Sequence, residues 1–217
     1  MSHSVIRLQN VSKAYKDVSV LNHVSIDFEQ GKSYGIKGIN GSGKSVLLKL
    51  IAGYAFADSG SIVIRGKTLK KDMDFIENAG VVINAPTFMN GLSAYKNLQF
   101  LADIRHVIGK TEIQKILEEL QLWQAKDKKV TTYSEGMKQR LRLAQAFMEA
   151  PDILLLDEPM NALDKEGITL VKSLLKRHVE SGKTLLFTSH NQEDLDDLAD
   201  EKLEIECGQI TRMAETA

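Results

Sequence analysis

This 217-residue chain holds one cysteine, Cys207, which excludes an internal disulfide and suits a reducing compartment. It also lacks an excess of charge of either sign. Its 28 Lys and Arg residues face 29 Asp and Glu, a formal net charge of −1, so no global basic field points to nucleic acid or anionic lipid. No apolar run approaches the ~18 residues needed to span a bilayer. The run ILLL at 153–156 is flanked on both sides by Asp. The opening MSHSVIRLQN has neither the basic nor the apolar region of a signal peptide. These absences lead us to expect a cytoplasmic protein whose service to a membrane, if any, uses another polypeptide's spanning part.

What is present is ordinary globular material: 43% hydrophobic and 26% charged residues, enough chain for one domain or one domain with an inserted lobe. Short apolar strands alternate with helical patterns, which argues for an α/β domain with a substantially parallel sheet. VIRLQNVS, VSIDFEQGKSYGIKG and GSIVIRGK read as strands with Gly-marked turns near the N-terminus. GVVIN, DILLLDEP and KTLLFTSH read as buried strands that enter loops at their C-terminal ends. From Leu92 to Met148 only helical periodicity is visible. There TEIQKILEEL sets Ile113, Ile116, Leu117 and Leu120 on one face, with Thr111 and Gln114 spaced as a capping box. That all-helical segment is expected to be a lobe inserted into the α/β core. With so little sequence after LEIECGQITRM, no appended regulatory domain is expected.

The chemistry concentrates in GIKGINGSGKS. Gly38, four residues, Gly43, Lys44 and Ser45 form a P-loop pattern between a predicted strand and the apolar helix VLLKLIAG. In such a loop backbone N–H groups wrap phosphates, the lysine reaches the outer ones and the hydroxyl serves Mg²⁺. Gly41 eases close backbone approach. ILLLDEP supplies a buried strand ending in Asp157, where a P-loop enzyme keeps its Mg²⁺-side carboxylate. Glu158, next in line, can orient and deprotonate an attacking water. His190 ends another apolar strand beside the same crevice, where it can bond a γ-phosphate and hold the water in line.

The order of these motifs resembles that of the ATP-binding cassette (ABC) ATPases over nearly the whole chain. GINGSGKS looks like their Walker A, ILLLDE their Walker B, NALD at 161–164 their D-loop, His190 their switch histidine, and YSEGMKQR at 133–140 their signature. The resemblance implies one domain over 1–217, with 1–84 and 151–217 as the α/β core and 85–150 as the helical lobe. It implies a P-loop core with an N-terminal antiparallel β-subdomain, and ATP and Mg²⁺ as ligands. Tyr15 would stack on adenine, and Gly38, Asn40, Gly41, Ser42, Gly43, Lys44, Ser45 and Val46 would line the phosphates. Glu158, His190 and Lys44 would be catalytic, while Ser45, Asp157 and Asn84 would serve the metal. In this family two cassettes dock head to tail, so Ser134, Gly136 and Met137 would meet the ATP of a second copy or a related cassette. The further partner implied is an integral membrane permease, which would hold the chain at the inner face of the membrane; no nucleic acid is implied.

Two positions depart from the family pattern. Asn84 stands where Gln is usual, one methylene shorter, so water-bridged rather than direct contact with Mg²⁺ becomes plausible. Its surroundings, VVINAPTFMNGLSAYKNL, are similar to a branch exporting antibiotics and bacteriocin-like peptides. Glu135 stands third in the signature, where Gly is usual. A carboxylate within ~5 Å of a triphosphate is repulsive, so its side chain is expected to point away. Two other readings compete with a transporter subunit: a non-transport ABC ATPase, and a nucleotide-dependent switch. Only about fifty residues separate Asn84 from Ser134, with no heptad run, against the coiled coil of repair and chromosome types. Intact Glu158 and His190 argue against a purely regulatory switch.

Overall fold

A computed structural model of the chain describes residues 4–16, 18–84 and 87–213. Two sheets share the structure. The first is antiparallel, in the order β2 (Val18–Glu29), β1 (Ser4–Tyr15), β4 (Ser59–Ile64) and β5 (Lys67–Thr68). The second has six strands, in the order β10 (Gln209–Arg212), β9 (Glu201–Glu206), β3 (Ser33–Lys37), β8 (Thr184–Thr188), β7 (Ile153–Leu156) and β6 (Ala79–Val82). All its neighbours run parallel except the β10–β9 hairpin. The helices are α1 (Lys44–Ala52), α2 (Ala94–Arg105), α3 (Lys110–Glu119), α4 (Glu135–Phe147), α5 (Lys165–Glu180) and α6 (Gln192–Leu198). Between β6 and β7 the described residues contain helices but no strand of a sheet.

The central strands β7 and β8 are buried at every position, and mostly apolar, because both their faces are covered. Along β7 and β8 successive side chains alternate between two cores. Leu154, Leu156, Leu185 and Phe187 pack with α2, α3, α4 and α5. Ile153, Leu155 and Leu186 pack with α1 and the antiparallel sheet. The helical segment therefore shares a continuous core with one sheet face. Gly80 on β6 shows how close that contact is: a Cβ there would come 2.1 Å from the carbonyl oxygen of Ala146 on α4.

The predicted apolar face of α3 is buried at Ile113, Ile116, Leu117 and Leu120. Its N-terminus differs from the expected Thr111–Gln114 box. The helix starts earlier, at Lys110, and the Glu112 carboxylate accepts the Gly109 N–H at 2.9 Å. Gln114 instead donates to Glu118 Oε1, one helical turn on. Glu112 wins because it is three residues after the N-cap and charged, so it also meets the positive end of the helix dipole.

At the far end of α5, buried His178 lies edge-on to Phe147 with centroids 5.8 Å apart, and its Nε2 is 3.3 Å from the Thr184 carbonyl. Burial pushes its pKa down to about 4 from the ordinary 6.5. Between those values the unfolded chain binds a proton that the folded chain does not, so stability falls as pH drops from 6.5 toward 4. Allowing for screening at its polar rim, the loss is about 2 kcal/mol. Unfolding free energies from urea titrations at pH 7 and pH 4.5 are expected to differ less in His178→Gln than in the wild type, by about that amount.

Candidate functional site

The C-terminal ends of β3, β8, β7 and β6 all open on the same edge of the parallel sheet, because these strands run in one direction. This is the edge where open α/β sheets bind ligands. β3 delivers 38–43 and then the N-terminus of α1, and β7 delivers Asp157 and Glu158. Ser189 and His190 follow β8, and Asn84 comes just after β6.

The loop after β3 folds as the sequence requires. A Cβ at Gly38 would strike Ser42 Oγ at 2.4 Å and the Ile205 carbonyl at 2.7 Å, and Gly43 is left-handed at φ 110°. α1 begins with no side-chain cap, so its first N–H groups are free to meet an anion. Ser42 Oγ is buried without a hydrogen-bond partner. Lys44 is buried and donates to the carbonyls of Gly38 at 2.6 Å and Ile39 at 3.2 Å. Asn40 and Gly41 are exposed on the same loop, and Val46 follows in the first turn of α1. An uncapped helix, an orphan hydroxyl and a cation converging on one loop fit phosphate.

Beside the loop a relay of oxygens runs across two strands. Ser45 Oγ donates to Asp157 Oδ2 at 2.6 Å, and Thr188 Oγ1 donates to Asp157 Oδ1 at 2.8 Å. Thr188 Oγ1 also accepts the Glu158 N–H at 2.9 Å. Glu158 itself is left-handed at φ 50°, and its Oε2 lies 3.0 Å from His190 Nδ1. Ser45 and Asp157 are hard oxygen donors suited to Mg²⁺. The Glu158 carboxylate, backed by His190, suits a water-positioning base. The sequence does not single out Thr188; the available signal is a hydroxyl directly after the apolar run LLF.

Tyr15 is half-exposed at the end of β1, with Lys13 Nζ 5.2 Å from its ring centroid. It pairs across the hairpin with Val18, two residues before the Val20 carbonyl that abuts Gly43. The hairpin thus brings an open aromatic face near the loop. Asn84 is exposed and left-handed at φ 55°; Ala85 and Pro86 lie outside the described residues.

In the signature stretch Ser134 caps α4, its Oγ accepting the Met137 N–H at 3.2 Å. The Glu135 carboxylate lies along its own helix, 2.8 Å from Lys138 Nζ, which holds its pKa below the usual carboxylate range. Gly136 does admit a close backbone neighbour, from this same chain: a Cβ there would come 2.8 Å from the Ala162 carbonyl.

Phosphate loop, Asp157 and Glu158 at one sheet edge define a P-loop nucleoside triphosphatase. Residues 21–161 match the family model described as ABC transporter. The chain is 38% identical over 206 residues to the uncharacterized ABC transporter ATP-binding protein YybJ of Bacillus subtilis, covering 95% of this chain and 94% of that one. It is 37% identical to the bacitracin transport ATP-binding protein BcrA of Enterococcus faecalis, over 90% of this chain but 64% of the relative. With the lantibiotic transport ATP-binding protein SrtF of Streptococcus pyogenes it shares 33% identity, over 90% of this chain and 84% of that protein. A solved ATP-binding subunit of an ABC transporter has the same fold, with TM-score 0.87 at 22% identity over 98% of this chain and 90% of that one. The chain belongs to the ABC transporter family, as its ATP-binding and ATP-hydrolysing part. Among the described residues no helix is long and apolar enough to cross a membrane.

Proposed function

We propose that this chain hydrolyses Mg·ATP as one of a pair of cassettes and so drives a separate permease that exports antibiotic-like peptides. The observation that carries the chemistry is the run of bonds from Ser45 through Asp157 and Thr188 to Glu158 and His190. Gly38 to Val46 cradle the phosphates, with Asn40, Gly41 and Ser42 at the loop tip, and Lys44 neutralises their outer oxygens. Tyr15 supports adenine by stacking. Ser45 and Asp157 would hold Mg²⁺, which would screen the charge developing on the phosphate oxygens. Asn84 would contribute to the same site from the end of β6. Glu158 takes the proton of the attacking water, and His190 holds that carboxylate toward the γ-phosphate.

The helical segment 85–150 presents Ser134, Gly136 and Met137 to the ATP of the second cassette. The Glu135–Lys138 pair supports this reading, because the charge that would repel a triphosphate is already matched within α4. The substrate class is supported by the bacitracin transport and lantibiotic transport proteins of E. faecalis and S. pyogenes that the chain resembles, and the direction, export, is our own reading. A docking surface for the permease is supported by Tyr54, Phe56, Phe75 and Ile104, all exposed. Tyr54 and Phe75 meet edge-on, and with Leu101 and Ile104 the tyrosine lines a cavity of about 290 Å³ beside β6. Apolar side chains clustered at a surface mark interfaces, and this one would keep the chain at the inner membrane face. Co-purification with a membrane protein of about six spans is the test. Ile104→Glu is expected to lower recovery of that partner at least about fivefold, a loss of ~1 kcal/mol or more, with ATP binding unchanged. Full recovery would remove this surface from the proposal.

A further inference from the structure

Gln139 is a buried polar residue on a helix face that is otherwise apolar. Buried positions on α4 are Gln139, Leu141, Leu143, Ala144 and Ala146, and an amide there needs a reason. Its Nε2 donates to the Pro159 carbonyl at 3.0 Å, and its Oε1 accepts from Arg142 at 3.2 Å. Pro159 directly follows Glu158. The turn it opens is conformationally costly: Glu158 is left-handed at φ 50° and Ala162 at φ 65°, a region that side-chain-bearing residues adopt only under constraint. Such a turn holds its shape only if its surroundings over-determine it.

Those surroundings come from two elements. On the sheet side Thr188 Oγ1 accepts the Glu158 N–H. On the helix side Gln139 holds the Pro159 carbonyl, and Gly136 lets the Ala162 carbonyl settle on the first turn of α4. Inside the turn the Asn161 N–H bonds the Glu158 carbonyl at 3.1 Å. We infer that Gln139 is a positioning residue for Glu158: its amide fixes the 158–162 turn to the helix that Ser134 caps, and so sets where the carboxylate sits over the reacting phosphate. This rests on the proposed role of Glu158 in hydrolysis. The device also links the signature helix to the chain's own hydrolytic carboxylate, without any second chain.

Gln139→Met keeps length and apolar bulk but removes the donor. Its kcat is expected to fall about tenfold, as small misplacements of a reacting group do, with KM within roughly twofold of wild type. The decisive readout is a cycle with Glu158→Gln. If Gln139 acts through Glu158, adding Gln139→Met to Glu158→Gln leaves single-turnover hydrolysis unchanged. Additive losses, or a rise in KM with kcat unchanged, would overturn the proposal and mark Gln139 as a general packing residue. Should Gln139→Met not fold, Gln139→Glu replaces it, since it keeps volume and the acceptor for Arg142 while losing the donor. Wild-type turnover in Glu158→Gln would overturn the role of Glu158 and this inference together. A crippled Glu158→Gln beside an unimpaired Gln139→Met overturns the inference alone.

Discussion

Replacing Glu158 by Gln is expected to cut ATP turnover by roughly two to three orders of magnitude, the usual worth of a positioned general base, while ATP still binds. Gln keeps the shape and the contact to His190 Nδ1, now 3.0 Å from Glu158 Oε2, but cannot take a proton from water. The backbone is unaffected, because the left-handed turn is fixed by Thr188 and Gln139 rather than by the carboxylate. Binding measured with a fluorescent ATP analogue separates this result from a folding defect. Turnover within a few-fold of wild type would show that the proton leaves by another route.

Lys44→Ala should be about as damaging, but for a different reason. Lys44 brings the ammonium that the phosphate loop contains, buried and directed at the Gly38 and Ile39 carbonyls. Losing a preorganised cation at the phosphates costs about 10²–10³ in turnover, and here nucleotide affinity is expected to weaken as well. The two variants therefore differ in their signature: Glu158→Gln holds ATP without cleaving it, and Lys44→Ala holds it poorly. Isothermal titration with ATP distinguishes them.

The phosphate loop was readable in the sequence because its demands are local. Gly38 and Gly43 are forced by atoms within a few ångströms, and the loop's flanks, a buried strand and an apolar helix, lie next to it in the chain. Asp157, Glu158 and His190 were readable because each ends an all-buried strand, and parallel strands gather their C-terminal ends at one edge. Thr188 and Gln139 were not, since their partners lie 30 and 20 residues away and only the folded sheet and α4 bring them together. Gly136 was read as an opening for another molecule; the neighbour it admits in this chain is the Ala162 carbonyl. Charge repulsion led to the expectation that Glu135 turns from a phosphate; what the structure shows is its pairing with Lys138, which depended on the helix placing the two residues one turn apart.

The Glu135–Lys138 pair also bears on the pairing of cassettes. If cassettes pair as proposed, the dipole at the first turn of α4 would meet an incoming phosphate, with the Glu135 carboxylate already paired to Lys138. In the proposed pair that surface would face the nucleotide of the second cassette. The measurement that tests the composite site most directly is the solution mass of Glu158→Gln with Mg·ATP, by sedimentation or light scattering. Our account predicts twice the 24.2 kDa of one chain with ATP and a return to one chain with ADP. A single-chain mass with saturating ATP, even at high protein concentration and with the permease present, would contradict it.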